Sequence, residues 1–356
     1  MTKTILRLTL SGIFLVITGF LLLIAYFLPS FFFSFYPDVS RWLIQLLGGI
    51  TSIVPFAVCE ICAFLLIALF IFTLIRAIMR ARIVRFLSGF LLLVSVGVFA
   101  FVTIWGLNYY APPMAERLGM KEQQFTIAQL KEATEYYRDM ANAAAKNVER
   151  NEDGSMKDYD FDLLAKNAGQ GYEILAEEFD FFDGSTARVK SLIISPLMGK
   201  IGMTGGFICL TGEACASSST YRAALPFTMC HEIGHAMAFA REDEANFAGF
   251  LACSVSRQPE FVYSGYYTAF LYCFNALAKI DPTAANAVLS GVGEYLAADC
   301  SASAEHYAAV RSETASEIAD NVYGGYLNAF SVENGTQSYG EVADLLILWY
   351  FERIAE

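Results

Sequence analysis

A pair of histidines in the middle of the chain has the spacing used by zinc-dependent hydrolases, because the stretch reads His231-Glu-Ile-Gly-His235. On a helix, residues four apart share a face, so both imidazoles can bind one metal ion. Glu232 lies at the edge of that face, where its carboxylate can reach a water on the metal. Zinc lowers the pKa of such a water, and a glutamate can take its proton and pass it to the leaving amine. The pattern predicts a zinc site with His231 and His235 as ligands and Glu232 as general base.

A catalytic zinc takes a third protein ligand, and the nearest candidate is Glu242. In an unbroken helix His235 and Glu242 would lie about 10 Å apart along the axis, too far to share a metal. Either Glu242 is not a ligand, or the helix ends between Ala236 and Arg241 and the chain turns back. In the second case Glu242 begins a new helix, and Asn246, one turn later, is placed to hydrogen-bond to a zinc histidine.

The stretch Glu242-Asp-Glu-Ala-Asn246 resembles the E-x-x-A-N/D segment of glutamate-zincins, the HExxH metallopeptidases with a glutamate as third ligand. This resemblance implies that Glu242 is the ligand, with Glu244 as the second candidate. The gap between the histidines and the glutamate is shorter than in most such families, which leaves both candidates open.

A wider resemblance covers nearly the whole chain. It rests on the segments 105–113, 205–214, 225–253 and 338–346. Together they resemble a bacterial domain-of-unknown-function family, whose members have several N-terminal membrane helices and a zincin-like domain. The resemblance implies a membrane-anchored metallopeptidase and does not name a substrate.

Long apolar runs precede the zinc motif. The chain is 56% hydrophobic with a mean hydropathy of +0.44, which is more apolar than a typical soluble domain. The runs predict three transmembrane helices at about 8–30, 54–75 and 86–105. The first run is too long for a signal peptide and offers no small-residue cleavage site. The apolar stretch 42–57 is shorter, which leaves open a re-entrant or interfacial segment instead of a fourth span.

Basic residues set the orientation of these helices. They lie before the first helix and in the short loop between the second and third, so the N-terminus is expected in the cytoplasm and the chain after Trp105 outside it. Of the 24 Lys/Arg and 36 Asp/Glu, residues 1–105 hold seven and two, which leaves 17 bases and 34 acids in residues 106–356. An outer part this acidic excludes a nucleic-acid-binding surface.

The fold class predicted from these patterns is mainly α. Residues 1–107 form the membrane domain with its three helices, and residues 108–356 form an α-rich α+β zincin-like domain with a small sheet. Within the outer domain we expect a helical lead-in, then strands and zinc helices, then a helical C-terminal part, at 108–187, 188–256 and 257–356. The strands are expected within 189–211, and Pro226 is expected to begin the zinc helix.

Further candidates lie outside the zinc motif. Glu60 is costly inside a membrane and therefore a functional suspect, although its place near the outer helix end favours contact with water. The stretch 205–214 is either a strand that pairs with a substrate backbone or an ordinary core strand, and Glu213 in it can face the cleft or solvent. The sequence does not choose among the side chains that can stabilise an oxyanion. Those candidates are Tyr263, Tyr266, Tyr267, Tyr323, Tyr326 and His306.

Together the patterns predict a membrane-anchored zinc-dependent metallopeptidase that hydrolyses peptide bonds outside the cytoplasm. Its cofactor is Zn²⁺, and its partners are the lipid bilayer and a peptide or protein substrate, not nucleic acid. One alternative is a catalytically inactive zincin-like membrane protein that binds or signals, which predicts a closed or blocked metal site. Another is a structural membrane protein in which the apolar helices and Glu60 carry the role.

Overall fold

The structure is a computed structural model that describes residues 2–121, 123–184, 186–317 and 338–355. These residues are mostly helical with one small sheet, which confirms the predicted fold class. The helices are α1 Thr2–Phe27, α2 Pro29–Phe32, α3 Tyr36–Thr51, α4 Val58–Met79, α5 Ile83–Ile104, α6 Met114–Arg117, α7 Ile127–Ala144, α8 Phe161–Asn167, α9 Gln170–Leu175, α10 Ser195–Ile201, α11 Leu225–Ala236, α12 Glu242–Ser254, α13 Pro259–Ile280, α14 Pro282–Leu289, α15 Glu294–Val310 and α16 Ser338–Arg353. The strands are β1 Lys190–Ser191, β2 Gly205–Ile208 and β3 Glu213–Ala216.

Three of these helices, α1, α4 and α5, are long and apolar enough to cross a membrane. Most of their large apolar side chains are exposed, as side chains in contact with lipid must be. Helices α1 and α5 run in parallel, because the Arg7 guanidinium donates to the Arg85 carbonyl at one end and Ala25 packs with Val102 at the other. The spans overlap the predicted ones, but α4 begins at Val58, four residues later than expected.

The start of α4 at Val58 is explained by a contact with the region of the sheet. The Glu213 carboxylate accepts hydrogen bonds from the backbone amides of Val58 and Cys59, at 2.8 and 2.7 Å. It also accepts one from Lys190 Nζ at 2.7 Å. The first amides of a helix have no partner within the helix, and a carboxylate at that end also interacts well with the helix dipole. Glu213 therefore caps α4 and faces neither the cleft nor solvent.

A second carboxylate, this time on α4, binds backbone amides near the sheet. Glu60, in the first turn of α4, accepts hydrogen bonds from the backbone amides of Ile193 and Ile194, at 2.8 and 2.9 Å. These amides lie just before α10. The expected contact of Glu60 with water is wrong, because the residue is only 5% exposed and its two oxygens bind backbone amides of the C-terminal part of the chain. We use the term junction for Glu60, Glu213 and Lys190, together with the four backbone amides that donate to the two carboxylates.

Helix α3 is the apolar stretch between the first two spans, and it docks on other parts of the protein instead of forming a fourth span. The Ser40 hydroxyl donates to the Ile104 carbonyl at 2.6 Å, and the Tyr36 hydroxyl donates to the Thr103 carbonyl at 3.0 Å. Further along, a Cβ on Gly48 would lie 2.7 Å from the Gly212 carbonyl oxygen, so only glycine permits this approach. Helix α3 therefore lies between the end of α5 and the turn that joins β2 to β3.

The part of the chain that follows α5 packs helices around a core next to the small sheet. The strand order is β1-β3-β2, with β1 parallel to β3 and β2 antiparallel to it. Strand β3 is buried throughout and lies just beyond the predicted strand region, while β2 forms an edge beside α11. Behind α11, the buried Tyr172 hydroxyl donates to the Cys230 carbonyl at 2.7 Å. The zinc-motif helix is thus supported from the core side.

Candidate metal centre

The helix that carries the two histidines ends directly after His235, within the stretch where the sequence analysis required a break if Glu242 is to reach the histidines. Helix α11 stops at Ala236, and the backbone of Ala238 takes the left-handed conformation with φ of 72°. The Ala238 and Phe239 amides donate to the carbonyls of His235 and Gly234, at 2.9 and 3.3 Å. This is the Schellman arrangement, which closes a helix and reverses the chain. The predicted break between Ala236 and Arg241 is confirmed.

The next helix begins at Glu242 and packs back against α11. Two glycines permit the close approach of the two helices. A Cβ on Gly249 would lie 3.0 Å from the His231 amide nitrogen, and a Cβ on Gly234 would lie 3.2 Å from the Ala245 carbonyl oxygen. The first turn of α12 is thereby brought beside the two histidines of α11.

Glu242 is shared between the two imidazoles. Its Oε2 lies 3.4 Å from His231 Nε2, and its Oε1 lies 3.5 Å from His235 Nε2. With bonds of about 2.0–2.2 Å, neighbouring ligand atoms in a tetrahedral zinc site are about 3.3–3.6 Å apart. Each of these two distances is that of neighbouring ligand atoms in a zinc site, and each histidine faces a different oxygen of the Glu242 carboxylate. The unbroken helix that would have excluded Glu242 is not formed.

The imidazoles and the Glu242 carboxylate change one another's pKa. Burial lowers the pKa of His235, but the Glu242 carboxylate outweighs burial and raises that pKa to about 9. Burial raises the pKa of Glu242, yet the two imidazoles hold it well below its usual range. His235 Nδ1 lies 2.7 Å from the Phe239 carbonyl oxygen, which orients the other ring nitrogen, Nε2, toward Glu242. His231 Nδ1 is buried and has no hydrogen-bond partner.

Glu232 lies beside the histidines and is buried. Ligand atoms of His231, Glu232 and His235 lie within 4.8 Å of one another. Burial raises the pKa of Glu232 to about 7, against the lowering effect of the two imidazoles. Its Oε2 has no hydrogen-bond partner, and a Cβ on Gly205 would lie 2.3 Å from its Oε1. The edge strand β2 therefore passes directly along the Glu232 carboxylate.

Glu244 is not part of the cluster. Its carboxylate accepts a hydrogen bond from the Met114 amide at 2.7 Å, on the side of α12 away from the histidines. Burial raises the pKa of Glu244 to about 7. Of the two glutamates that the sequence left open, the structure places only Glu242 beside the imidazoles.

Asn246 does not make the bond that was expected of it. Its Oδ1 accepts from the Tyr272 hydroxyl at 3.0 Å, and neither zinc histidine is its partner. Position on the correct helix face was predictable, but a tyrosine from α13 competes for the same oxygen. Among the described residues, the expected hydrogen bond between Asn246 and a zinc histidine is therefore not formed, and the role of Asn246 at the metal stays a prediction.

The candidates for oxyanion stabilisation are mostly occupied elsewhere. The Tyr263 hydroxyl donates to Asp299 at 2.5 Å, while Tyr266 and Tyr267 lie in the aromatic core. His306 Nε2 lies 2.8 Å from the Ser219 carbonyl oxygen. Tyr323 and Tyr326 lie outside the described residues.

Two aromatic side chains near the metal centre were not singled out from the sequence. The ring of Trp105, which follows α5 directly, lies 5.6 Å from the His235 ring, centroid to centroid. Phe207 of β2 lies 5.0 Å from Trp105 and 6.3 Å from His235. Both residues lie in segments that carry the family resemblance, 105–113 and 205–214, and Trp105 also stands at the end of an apolar run. The end of a membrane helix thus forms part of the wall around a candidate zinc ligand.

Comparison with known families gives one match. Residues 35–347 match the family model described as "Protein of unknown function (DUF3810)". The matched range includes α3, α4, α5, the junction and all side chains of the metal centre. No curated protein and no solved structure matches the chain.

Proposed function

The chain belongs to the DUF3810 family, and we propose that it is a membrane-anchored zinc-dependent metallopeptidase that hydrolyses peptide bonds outside the cytoplasm. The observation that carries this proposal is the position of Glu242, whose two carboxylate oxygens each face one histidine Nε2 at 3.4 and 3.5 Å. Glu242 reaches this position because α11 ends at Ala236 and a new helix begins at Glu242. Two histidines with a purely structural role would not need such a break.

The donor set suits Zn²⁺. Two imidazole nitrogens and one carboxylate are the ligands of many catalytic zinc sites, which keep a fourth position open. The hydrogen bond from His235 Nδ1 to the Phe239 carbonyl leaves Nε2 as the nitrogen for the metal. Zinc bound by His231, His235 and Glu242 would polarise a peptide carbonyl and acidify a water.

Glu232 is the residue placed to move the proton. Its unpartnered Oε2 can accept the proton of the attacking water, and the same oxygen can then donate it to the leaving amine nitrogen. No other described side chain hydrogen-bonds to this oxygen, so it is available for transfer in both directions.

The substrate chain is proposed to lie along β2. This strand is at the edge of the sheet, and an extended peptide can add to such an edge through backbone hydrogen bonds. Gly205 brings the β2 backbone against Glu232, so a peptide paired with β2 passes the general base. A side chain at position 205 would displace the carboxylate.

The orientation follows from the basic residues. Six of the seven basic residues in 1–105 lie at the ends of α1, α4 and α5 that are far from the candidate metal centre, and such residues favour the cytoplasmic side. The proposed localisation is the cell membrane, with several passes, a cytoplasmic N-terminus and the outer domain outside the cytoplasm.

The alternative of an inactive zincin-like binding protein predicts a blocked metal site. The side chains of His231 and Glu242 keep 13% and 22% exposure, which favours a site that a substrate can reach. The alternative that the membrane helices act alone gives no reason for the geometry of the metal centre.

The test compares purified wild type with Glu232→Gln. We expect about one zinc per chain in both proteins, and cleavage of a degenerate peptide pool by the wild type only. A general base contributes roughly 10²–10⁴-fold, so the variant should lose at least 100-fold in rate. A wild type without zinc, or equal cleavage by Glu232→Gln, would overturn the proposal.

The matched control is Glu244→Gln. This glutamate is also buried and has a pKa raised to about 7, but it faces away from the histidines. The same chemical change there should leave zinc content and cleavage rate within about twofold of the wild type, because neither the ligands nor the base is altered.

A further inference from the structure

Helix α3 has two faces of different character. Its buried face consists of residues spaced four apart, namely Tyr36, Ser40, Ile44 and Gly48. The opposite face carries apolar side chains at intervals of three and four residues, all exposed, namely Val39, Trp42, Leu46 and Ile50. We call these four residues the α3 stripe. An exposed apolar stripe along one helix face is the pattern of a helix that lies in a membrane interface.

The buried face of α3 lies directly against the loop 237–241, which joins α11 to α12. Ile44 packs with Ala236, Ala238 and Ala240, the residues around the break between the two zinc helices. The Gln45 amide donates to the Met237 sulfur at 3.7 Å. The loop that brings Glu242 to the histidines therefore rests on α3.

The level of α3 relative to the membrane helices is fixed by its contacts with α5. Ser40 and Tyr36 donate to carbonyls in the last two residues of that helix, Ile104 and Thr103. The next residue, Trp105, contacts the His235 ring. Since α5 is a candidate membrane span, its end marks the boundary of the hydrocarbon layer.

Other apolar side chains are exposed at the same end of the membrane helices. Ile193 and Ile194 are held at the first turn of α4 by Glu60, and they are 64% and 38% exposed. Leu197, two residues into α10, is 57% exposed. These exposed apolar side chains lie near the first turn of α4, which is the end of that candidate span from which Glu60 binds the Ile193 and Ile194 amides.

We propose that the α3 stripe lies in the bilayer interface and that the substrates are polypeptides anchored in the same membrane, cut close to their anchor. This inference rests on the proposed peptidase function. The metal centre lies across α3 from the stripe, so it is about one helix diameter, ~10 Å, from the interface. An extended chain covers ~3.3 Å per residue, so cleavage falls about three to five residues from the membrane anchor.

The experiment uses the full zinc-loaded chain in proteoliposomes and two peptide pools of the same degenerate sequence. One pool carries two palmitoyl chains at one end, because a single acyl chain anchors only weakly, and the other is acetylated. Mass spectrometry identifies the cleavage positions. We expect the anchored pool to be cut at least about tenfold faster, with most cuts within about five residues of the anchor for any sequence.

The position of the cuts separates this inference from simple enrichment of substrate at the surface. Enrichment alone raises the rate but leaves the cuts scattered along the peptide, and that result would overturn the inference. Equal rates for the two pools would overturn it as well, while the peptidase function would stand. Cleavage of neither pool by the zinc-loaded wild type would contradict the peptidase function itself.

A matched pair of variants tests the stripe. Leu46→Asp puts a charge into the stripe, and Leu289→Asp makes the same change on α14, where the leucine is similarly exposed at 45% against 47%. Leu46→Asp should lose the preference for the anchored pool and still cleave the acetylated pool at the wild-type rate. Leu289→Asp should keep the preference. An unchanged preference in Leu46→Asp would contradict the placement of α3.

Discussion

The junction and the candidate metal centre both bury carboxylates, but they differ in whether the buried groups have hydrogen-bond partners. At the junction, Glu60 and Glu213 together accept four backbone amides, and Glu213 also pairs with Lys190. At the candidate metal centre, Glu232 Oε2 and His231 Nδ1 are buried and have no hydrogen-bond partner within the described part of the chain. Buried polar groups are normally satisfied, because an unmade hydrogen bond costs about 1–3 kcal/mol. The satisfied carboxylates hold the structure together, and the unsatisfied groups mark the place where a ligand or a reaction is expected.

The largest effect should follow from the loss of a metal ligand. In Glu242→Gln we expect zinc affinity to fall by more than about 100-fold, since even the loss of a group that only orients a ligand costs 10–100-fold. Competition with a zinc chelator measures the affinity. The matched variant Glu244→Gln, two residues along the same helix, should bind zinc as the wild type does. Equal losses in the two variants would show that the difference between the two glutamates is not real.

The next prediction compares the free energy of unfolding after the same substitution in the junction and in the candidate metal centre. Glu213→Gln leaves the buried Lys190 without its charge partner, so the free energy of unfolding should fall by about 3 kcal/mol. Glu232→Gln removes a buried charge that has no hydrogen bond at Oε2, so stability should stay the same or rise. Chemical denaturation in detergent, followed by circular dichroism, measures both. A larger loss in Glu232→Gln than in Glu213→Gln would reverse the comparison.

The junction should also show a dependence on pH. Burial alone would raise the pKa of Glu213, but Lys190 and the amides of Val58 and Cys59 outweigh it and lower that pKa below its ordinary value of 4.5. The folded protein therefore binds this proton less readily than the unfolded chain does. The stabilising contribution is fully present above about pH 4.5 and is lost as the pH falls through the lower, folded pKa.

Thermal midpoints measured between about pH 3 and pH 7 check this prediction. The midpoint of the wild type should drop more steeply below pH 4.5 than that of Glu213→Gln, which has no carboxyl to titrate at this position. Parallel curves for the two proteins would mean that Glu213 does not stabilise the folded state through its charge.

The smallest effect concerns the other half of the junction. Glu60→Gln keeps one acceptor oxygen for the Ile193 and Ile194 amides and loses the charge, so we expect a loss of about 1 kcal/mol. Zinc content should not change, because neither Glu60 nor its partners contact the metal ligands. Loss of zinc in this variant would show that the two regions are coupled more closely than their contacts indicate.

The sequence predicts the helix break that brings Glu242 to the two histidines, but it does not predict the junction. The ligand set lies within twelve residues, and helix geometry alone shows that His235 and Glu242 can meet only if the helix breaks. The spans follow from runs without charge. These arguments need only local geometry and composition, so they can be made from the sequence alone.

The backbone amides that bind Glu60 and Glu213 come from segments more than 130 residues away, and no local pattern identifies them. Asn246 illustrates the same limit, because its position on the helix face was correct but Tyr272 of α13 takes its oxygen. The contact between Trp105 and His235 also joins a membrane helix to a distant loop. Side-chain partners of this kind depend on tertiary packing, which the sequence does not reveal.

The central claim is that a break in one helix assembles a zinc site from His231, His235 and Glu242. X-ray absorption at the zinc edge of the purified full-length protein tests it most directly. The account predicts about one zinc per chain, with two imidazoles and only nitrogen or oxygen ligands at about 2.0–2.2 Å. Absence of zinc, or a zinc–sulfur distance of about 2.3 Å from the cysteines of the chain, would contradict it.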